Sequence, residues 1–321
     1  MIWRTPKYTG PERRKTPRKR RRPFRTLLLL LWLAVAGYGA GVIWLMTQET
    51  RIVFQAVKTM GDSRPPFAYQ QIDLPRSDGA RQFAWVMPGG DVNAPWVVYL
   101  HGSPSTIASG VNIAHYAMLR DLGLNVIAPE YRGFAGLEGS PTEAGLSADA
   151  AAAYEYLRRE RQASSANVVL YGWSLGSAVA IDLATKVPIG AIVLEGAPAS
   201  IVEMTQRRYP FFPVRLLMRN RFESIAKVGR IPSPMLFLHS AEDAVVPIDE
   251  GRRLFAAAGH EKEFVEVRGG HVHAIDEDGD RIATAVRAFL EEQGALSPPR
   301  SAAEQVRALK RNGAGITGPE P

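Results

Sequence analysis

The sequence contains no cysteine, and this absence excludes several kinds of site. A thiol nucleophile, a disulfide framework and a cysteine-ligated zinc site cannot exist in this chain of 321 residues. The six histidines form no His-Glu-x-x-His pair, so the sequence offers little basis for metal catalysis. We therefore expect neither a metal ion nor another cofactor.

The chain also has no excess of basic residues outside its N-terminus. Residues 1–25 hold 11 Lys or Arg and one Glu, a net charge of +10, whereas the whole chain carries only +7. The other 296 residues therefore carry −3. This distribution predicts a basic tail at 1–25 attached to a body that does not bind nucleic acid.

No charged residue occurs between positions 26 and 48. As a helix this segment would be about 34 Å long, which is enough to cross a hydrocarbon core of about 30 Å. The basic residues lie directly before it, so the positive-inside rule predicts a cytoplasmic N-terminus and a body across the membrane, in the periplasm if the protein is bacterial.

Two export signals are alternatives to this signal anchor. Ala34-Val35-Ala36 is compatible with a cleavage site, and Arg21-Arg22-Pro23-Phe24 is loosely similar to a twin-arginine signal. The apolar run continues roughly ten residues beyond Ala36, further than a cleaved signal requires, which favours an uncleaved anchor.

Beyond a spacer at 49–66, short apolar runs alternate with segments long enough for helices. Their continuous hydrophobicity is typical of strands covered on both faces, so we expect one α/β domain at 67–293 with a mostly parallel, doubly wound sheet. Strands are predicted at 69–74, 82–87, 96–100, 125–128, 168–171, 191–194, 235–238 and 264–267, the first two joined by a turn at 77–79. Ser140 is the expected cap of a helix at 144–161. A polar, disordered tail is expected at 294–321.

The most informative motif is Gly172-Trp173-Ser174-Leu175-Gly176. The pentapeptide is weak evidence alone, but here it follows a β-branched run and opens an alanine-rich helical stretch. A strand, tight turn and helix are the context in which such a serine is held exposed as a nucleophile. Ser174 is therefore the candidate nucleophile.

A serine nucleophile needs a histidine base, and the histidine needs a carboxylate. In doubly wound hydrolases these follow the serine in the order acid, then histidine, each after a strand. Asp243 is the predicted acid, with Glu242 as the alternative. His271 is the predicted base, with His273 as the alternative, because two glycines before His271 allow a sharp turn.

The developing oxyanion also needs donors. The backbone N–H of Leu175 is one candidate, and the N–H of Ser103, in the loop after the 96–100 strand, is the second. Between the later strands, segment 197–222 mixes aromatic, aliphatic and arginine residues. It is compatible either with a short lid that forms an acyl-chain pocket or with an ordinary crossover helix that packs on the sheet.

Several motifs together resemble the membrane-anchored αβ-hydrolase-domain proteins, a group that includes depalmitoylating thioesterases, lysophospholipases and bacterial serine-aminopeptidase-like hydrolases. The motifs are Tyr99-Leu100-His101-Gly102, Glu130-Tyr131-Arg132-Gly133-Phe134, residues 138–146, Gly172 to Gly176, Asp243 to Pro247 and Gly270-His271. The resemblance covers about 67–293 and implies the α/β-hydrolase fold, the triad Ser174, Asp243 and His271, and the oxyanion pair Ser103 and Leu175.

The chain departs from that group in three places. Ser103 stands where Asn usually follows His-Gly, residues 134–137 replace the more usual Gly-x-Ser, and the cysteine-rich N-terminus of the eukaryotic depalmitoylases is missing. Membership of the depalmitoylase subgroup is therefore not expected.

Two classes of function follow. The first is a membrane-tethered serine hydrolase of esters or thioesters, on small-molecule, lipid or acylated substrates, with a serine aminopeptidase as its minority form. The second is a membrane-anchored binding protein that retains the fold without catalysis. The ordered serine, acid and histidine favour the first.

Overall fold

The computed structural model describes residues 3, 10, 22–76, 78–89, 91, 93–259 and 261–296 of the chain. Most of the predicted tails at 1–25 and 294–321 therefore lies outside the described residues, as do Ser77 of the predicted turn and His260. The chain divides into two compact units, Met1–Thr47 and Gln48–Pro321, which are described separately.

One long apolar helix, α1, covers Arg22–Phe54, so it begins in the first unit and ends in the second. Its stretch Phe24–Phe54 is long and apolar enough to cross a membrane, judged by length and composition. The side chains at 27–33 are five leucines, a tryptophan and a leucine, all exposed. A contiguous apolar surface of this kind is compatible with membrane anchoring.

The second unit is built on one eight-stranded sheet formed by the described residues. The strands are β1 Gln70–Leu74, β2 Gln82–Met87, β3 Trp96–Leu100, β4 Asn125–Pro129, β5 Val168–Trp173, β6 Ala191–Glu195, β7 Met235–Ser240 and β8 Lys262–Val267. Their spatial order is β1-β2-β4-β3-β5-β6-β7-β8. The β1–β2 and β2–β4 pairs are antiparallel, so β2 alone of these strands runs against the others, and the pairs from β4 to β8 are parallel. The prediction of a mostly parallel sheet is confirmed.

Helices cover the sheet and explain why its strands are apolar on both faces. They are α2 Gly110–Asp121, α3 Glu143–Glu160, α4 Leu175–Ala184, α5 Ile201–Arg208, α6 Val214–Leu217, α7 Ile248–Ala257, α8 Gly270–Glu277 and α9 Gly279–Glu292. Every residue of β2 to β7 is buried, as expected for strands between helical layers. The carboxyl ends of the parallel strands meet at one edge, where ligands bind in open α/β sheets.

The start of α3 differs from the prediction. Thr142, not Ser140, is the cap: its Oγ1 accepts a hydrogen bond of 2.9 Å from Gly145 N. Serine and threonine are both good N-caps, so tertiary contacts determine which of the two caps α3. Asn220 Oδ1 accepts from Glu143 N at 2.8 Å and fixes Glu143 as the first helical residue.

Residues 55–61, within the predicted spacer 49–66, are hydrogen-bonded to loops of the second unit. The Val57 carbonyl accepts from Ala135 N at 2.8 Å, and Lys58 Nζ donates to the Gly133 carbonyl at 2.8 Å. Gly61 N donates to Thr106 Oγ1 at 3.2 Å. The chain therefore runs along the surface of the unit before it enters β1.

Segment 197–222 follows β6 at the carboxyl edge of the sheet and contains α5 and α6. The side chain of Phe211 is 85% exposed and that of Leu216 is 82% exposed, whereas Val202, Val214 and Met218 are buried. The segment therefore combines packed and exposed apolar residues. Its role as a lid stays a prediction.

Candidate active site

Ser174 stands alone between β5 and α4, in the tight turn that the pentapeptide predicts. Its backbone has φ 55° and ψ −120°, a strained conformation for a residue with a side chain. Ser174 N donates to the Glu195 carbonyl of β6 at 2.8 Å, which anchors the turn to the sheet. A Cβ at Gly176 would lie 1.9 Å from the Leu100 carbonyl oxygen, so only glycine allows α4 to start this close to β3.

His271 reaches this serine from the beginning of α8. Its Nε2 lies 2.8 Å from Ser174 Oγ, and its Nδ1 lies 2.6 Å from Asp243 Oδ2. Gly269 and Gly270 before it have φ 94° and 67°, the sharp turn that the sequence indicated. The alternative His273 points elsewhere, since its side chain is 70% exposed and pairs with Asp276 at 3.5 Å.

Asp243 is held by the backbone of its own loop. Its Oδ1 accepts hydrogen bonds from Val245 N at 2.9 Å and Val246 N at 2.7 Å, which leaves Oδ2 for the histidine. The carboxylate is 1% exposed. The alternative Glu242 is exposed, and its Oε2 accepts instead from Gly269 N at 3.4 Å.

Trp173 and Gly196 hold His271 in position. The indole ring of Trp173 stacks on the imidazole with centroids 5.8 Å apart, and its Nε1 donates to the His271 carbonyl at 3.3 Å. A Cβ at Gly196, where φ is +56°, would lie 3.1 Å from His271 Cε1. The sequence gave no signal for Gly196, because the segments that carry Gly196 and His271 meet only through the tertiary fold.

The candidate oxyanion donors lie next to the serine in the fold as well. Leu175 is the first residue of α4, so its N–H has no acceptor within the helix. A Cβ at Gly102 would lie 2.8 Å from Ser174 Cβ, which shows how closely the loop before Ser103 approaches the nucleophile. A donor role for Ser103 and Leu175 stays a prediction.

Sequence reasoning missed Glu195 at the end of β6. Its carboxylate is buried, and Oε2 lies 2.8 Å from His115 Nε2 and 2.5 Å from the hydroxyl of Tyr171, which donates to it. His115 Nδ1 lies 2.7 Å from the Val111 carbonyl. The available signal was a single glutamate that closes the otherwise apolar strand Ala191–Glu195.

His115 and Glu195 shift each other's pKa. Burial acts to lower the pKa of His115, but the Glu195 carboxylate beside it raises that pKa above 6.5. Burial likewise acts to raise the pKa of Glu195, and His115 holds it below 4.5. Because carbonyl and carboxylate oxygens only accept hydrogen bonds, both bonds of His115 together require the imidazolium form.

A second buried pair supports the loop that holds Ser103. His101 Nε2 lies 2.9 Å from Glu130 Oε1, and Glu130 Oε2 accepts from Ile107 N at 3.1 Å. His101 Nδ1 lies 2.9 Å from the Gly102 carbonyl. Glu130 of the Glu-Tyr-Arg-Gly motif therefore fixes both ends of the 101–107 loop beside the candidate nucleophile.

His239, near Asp243, stays outside the chain of hydrogen bonds between the carboxylate and the serine. Its Nε2 lies 2.8 Å from the Val246 carbonyl and 3.6 Å from Asp243 Oδ2. Burial lowers the pKa of His239 below 6.5. A neutral His239 adds no positive charge beside Asp243, so the negative charge of Asp243 acts on His271.

Comparisons with known proteins agree with this architecture. The profile described as "Alpha/beta hydrolase family" matches residues 97–226. Among solved structures, the esterase Pf2001 of Pyrococcus furiosus superposes with a TM-score of 0.62 at 19% identity, over 74% of this chain and 98% of that one. At that identity the likeness shows the fold.

Curated relatives extend the likeness to the sequence. An uncharacterized protein of Mycobacterium tuberculosis is 33% identical over 269 residues, which cover 82% of this chain and 94% of the relative. Protein ABHD12B of Homo sapiens is 32% identical over 62% of this chain and 61% of its own length. The lysophosphatidylserine lipase ABHD12 of Danio rerio is 28% identical over 59% of this chain and 56% of its own length. With this sheet, this serine turn and these relatives, the chain belongs to the alpha/beta hydrolase family.

Proposed function

We propose that the protein is a membrane-tethered serine hydrolase that cleaves carboxylic ester or thioester bonds through an acyl-enzyme. The observation that carries the proposal is the continuous contact from Asp243 Oδ2 to His271 Nδ1 at 2.6 Å and from His271 Nε2 to Ser174 Oγ at 2.8 Å. Both distances lie in the range over which a proton is exchanged between heavy atoms.

In the first half-reaction Ser174 Oγ attacks the acyl carbonyl carbon while His271 Nε2 accepts the hydroxyl proton. The carbonyl oxygen becomes an oxyanion, and the N–H groups of Leu175 and Ser103 are the proposed donors to it. Collapse of the tetrahedral intermediate breaks the bond to the alcohol or thiol, which takes the proton from His271. Asp243 stabilises the imidazolium throughout.

In the second half-reaction water replaces the alcohol or thiol. His271 accepts a proton from the water, whose oxygen attacks the acyl carbon of the Ser174 ester. The carboxylic acid leaves, and Ser174 Oγ recovers its proton from His271. The neighbouring Glu195–His115 pair takes no part in these proton transfers, because its ring nitrogens are both occupied.

A lipid or another acylated molecule is the proposed substrate. Two features support this choice: the apolar helix α1, compatible with membrane anchoring, and the similarity to a relative named as a lysophosphatidylserine lipase. Exposed apolar side chains next to the triad, Val245 at 60% and Val272 at 43%, fit an acyl chain that approaches this edge.

The hydrolase proposal predicts covalent labelling of the purified full-length chain by a fluorophosphonate probe. Ser174→Ala removes the nucleophile and abolishes labelling, whereas Ser177→Ala, three residues further along in the first turn of α4, retains it. Absence of labelling in the folded wild-type protein would refute the serine mechanism and favour a binding role. A panel of ester, thioester, amide and lysophospholipid substrates then ranks the leaving groups.

We also propose that the N-terminus is cytoplasmic and the hydrolase domain lies on the opposite side, because 1–25 is strongly basic and α1 follows it directly. An alkaline phosphatase fused after Gln293 is then active in intact cells. A fusion that is inactive while the matching cytoplasmic reporter works would contradict this orientation.

A further inference from the structure

Segment 197–222 carries large apolar side chains that are exposed to solvent. Phe211 and Leu216 are more than four-fifths exposed at 85% and 82%, and neither belongs to the buried core. Arg208 and Arg219 are exposed on the same segment. We call these four residues the 208–219 surface.

The arginines of this surface differ from their neighbours. Arg207 pairs with Glu250 at 2.6 Å and Arg215 with Glu203 at 3.4 Å. Among the described residues, the guanidinium groups of Arg208 and Arg219 have no carboxylate partner. Unpaired arginines beside exposed aromatic and aliphatic side chains match the chemistry of an anionic lipid surface, where headgroups take the charge and acyl chains take the apolar groups.

A carboxylate from the end of α1 holds this segment. Glu49 Oε1 accepts three hydrogen bonds: from Arg219 N at 2.9 Å, from Asn220 N at 2.7 Å and from Asn220 Nδ2 at 2.8 Å. Five residues further along α1, the Phe54 ring packs edge-on against Phe222 with centroids 5.9 Å apart. We call these contacts the Glu49 clip.

Glu49 is also the first charged residue after the uncharged run 26–48. A group bonded to its carboxylate must therefore lie where the chain leaves the apolar segment. Arg219 N is bonded there, and Leu216 and Phe211 precede Arg219 by three and eight residues. The clip therefore keeps the 208–219 surface close to that point.

We propose that the 208–219 surface rests on the bilayer that anchors this same chain, with its arginines on anionic lipid headgroups, and that the Glu49 clip sets its position. The proposal rests on the membrane anchoring proposed above. Continuity with the apolar helix and the unpaired arginines favour a bilayer over a second protein copy as the occupant. The segment leaves the sheet directly after β6, at the edge that carries Ser174, so the site would open close to the lipid surface.

The lack of cysteine makes a direct test possible, because a single introduced thiol can be labelled uniquely. Full-length Phe211→Cys and Leu216→Cys, each carrying an environment-sensitive NBD group, are reconstituted in phosphatidylcholine vesicles with and without phosphatidylglycerol. The matched control is Arg281→Cys, exposed on α9, which packs on β7, β8, α2 and α8. Quenching by lipids that carry a spin label on the acyl chain measures contact with the bilayer.

We expect quenching at 211 and 216 to exceed that at 281 by at least about twofold, and to increase with phosphatidylglycerol. Arg208→Gln with Arg219→Gln should remove the phosphatidylglycerol dependence. In the labelled background, Glu49→Ala should lower quenching, whereas Glu49→Gln, which keeps an acceptor oxygen, and Arg51→Ala, the next charged residue on α1, should not.

Equal quenching at all three positions overturns the proposal. A blue shift at 211 that needs no vesicles and rises with protein concentration also overturns it, because a second copy would then cover the surface. Fluorophosphonate labelling of the same samples tests the hydrolase proposal separately. Protein that reacts with the fluorophosphonate but shows no lipid quenching refutes only the bilayer contact. Protein that shows lipid quenching but does not react with the fluorophosphonate refutes only the hydrolase proposal.

Discussion

The His271–Asp243 and His115–Glu195 pairs share their chemistry and differ in what the remaining ring nitrogen meets. In the His271–Asp243 pair the free nitrogen lies 2.8 Å from the hydroxyl of Ser174. In the His115–Glu195 pair it lies 2.7 Å from a backbone carbonyl, which only accepts. The first pair can therefore take a proton from a nucleophile, whereas the second is a buried ion pair. The neighbour of the second nitrogen, more than the pairing itself, makes His271 and not His115 the candidate base.

The largest expected difference is in turnover. His271→Ala removes the proposed base and should lower kcat for a soluble ester by about six orders of magnitude, as loss of one member of a cooperating triad does. His273→Ala, two residues along α8 and 70% exposed, is the matched control and should retain wild-type kcat. Measurable turnover within tenfold of wild type in His271→Ala would end the triad assignment.

Substitutions of the two carboxylates, Asp243 and Glu195, should differ almost as strongly in their effect on kcat. Asp243→Asn keeps the shape but favours the wrong imidazole tautomer, and kcat should fall by about 10⁴-fold. Glu195→Gln, the same isosteric change in the His115–Glu195 pair, should alter kcat less than tenfold, because its carboxylate is hydrogen-bonded to His115 and Tyr171 and is not part of the hydrogen-bond chain from Asp243 to Ser174. Steady-state kinetics on both variants checks this. Comparable losses would show that the two pairs act as one unit.

The second pair should matter more for stability. His115→Ala leaves the Glu195 carboxylate buried without its cation, which should reduce the free energy of unfolding by about 3–5 kcal/mol. Urea denaturation in detergent solution measures this, with His273→Ala as the control that changes stability by less than about 0.5 kcal/mol. A small loss in His115→Ala would mean that the pair is not ionised.

The smallest expected effect is a pH dependence of that stabilisation. The pKa of His115 is raised above 6.5 in the fold, so its contribution is complete below pH 6.5 and is lost as pH rises through the raised pKa. The pKa of Glu195 is lowered below 4.5, so its contribution is complete above pH 4.5 and is lost as pH falls through the lowered pKa.

The pair therefore stabilises the fold most between these two values. The difference in unfolding free energy between wild type and His115→Gln should shrink as the pH is raised from about 6 to about 9, well above the ordinary pKa of histidine. If the difference in unfolding free energy between wild type and His115→Gln instead grows as the pH is raised, the result would contradict the ion pair.

The sequence predicted most of the sheet and the residues that meet in the site. The sequence located all eight strands of the described residues to within about two residues at each end. The signal was clearest for β2 to β7, because strands buried on both faces read as continuous apolar runs, whereas β1 and β8 are partly exposed. Gly172 and Gly176 marked a turn whose close backbone packing requires them. Gly269 and Gly270 marked a turn whose positive φ values require them.

Other features could not be predicted because distant segments decide them. Two good caps competed at the start of α3, and Asn220, 77 residues away, selected Thr142 over Ser140. His115 and Glu195 are 80 residues apart, and each was unremarkable in its own helix or strand until the fold joined them. Nothing local indicated that Glu49 would accept hydrogen bonds from residues about 170 positions later.

What the sequence determined by itself is local: an apolar stretch long enough to span a bilayer, the rhythm of strands and helices, and a serine in a turn that only glycines permit. These follow from hydrophobicity and backbone sterics, which act between near neighbours. The tertiary structure alone decided that Glu195 pairs with His115, whose other ring nitrogen meets only a carbonyl. That outcome depends on distances of a few ångströms between chain segments that the sequence keeps far apart.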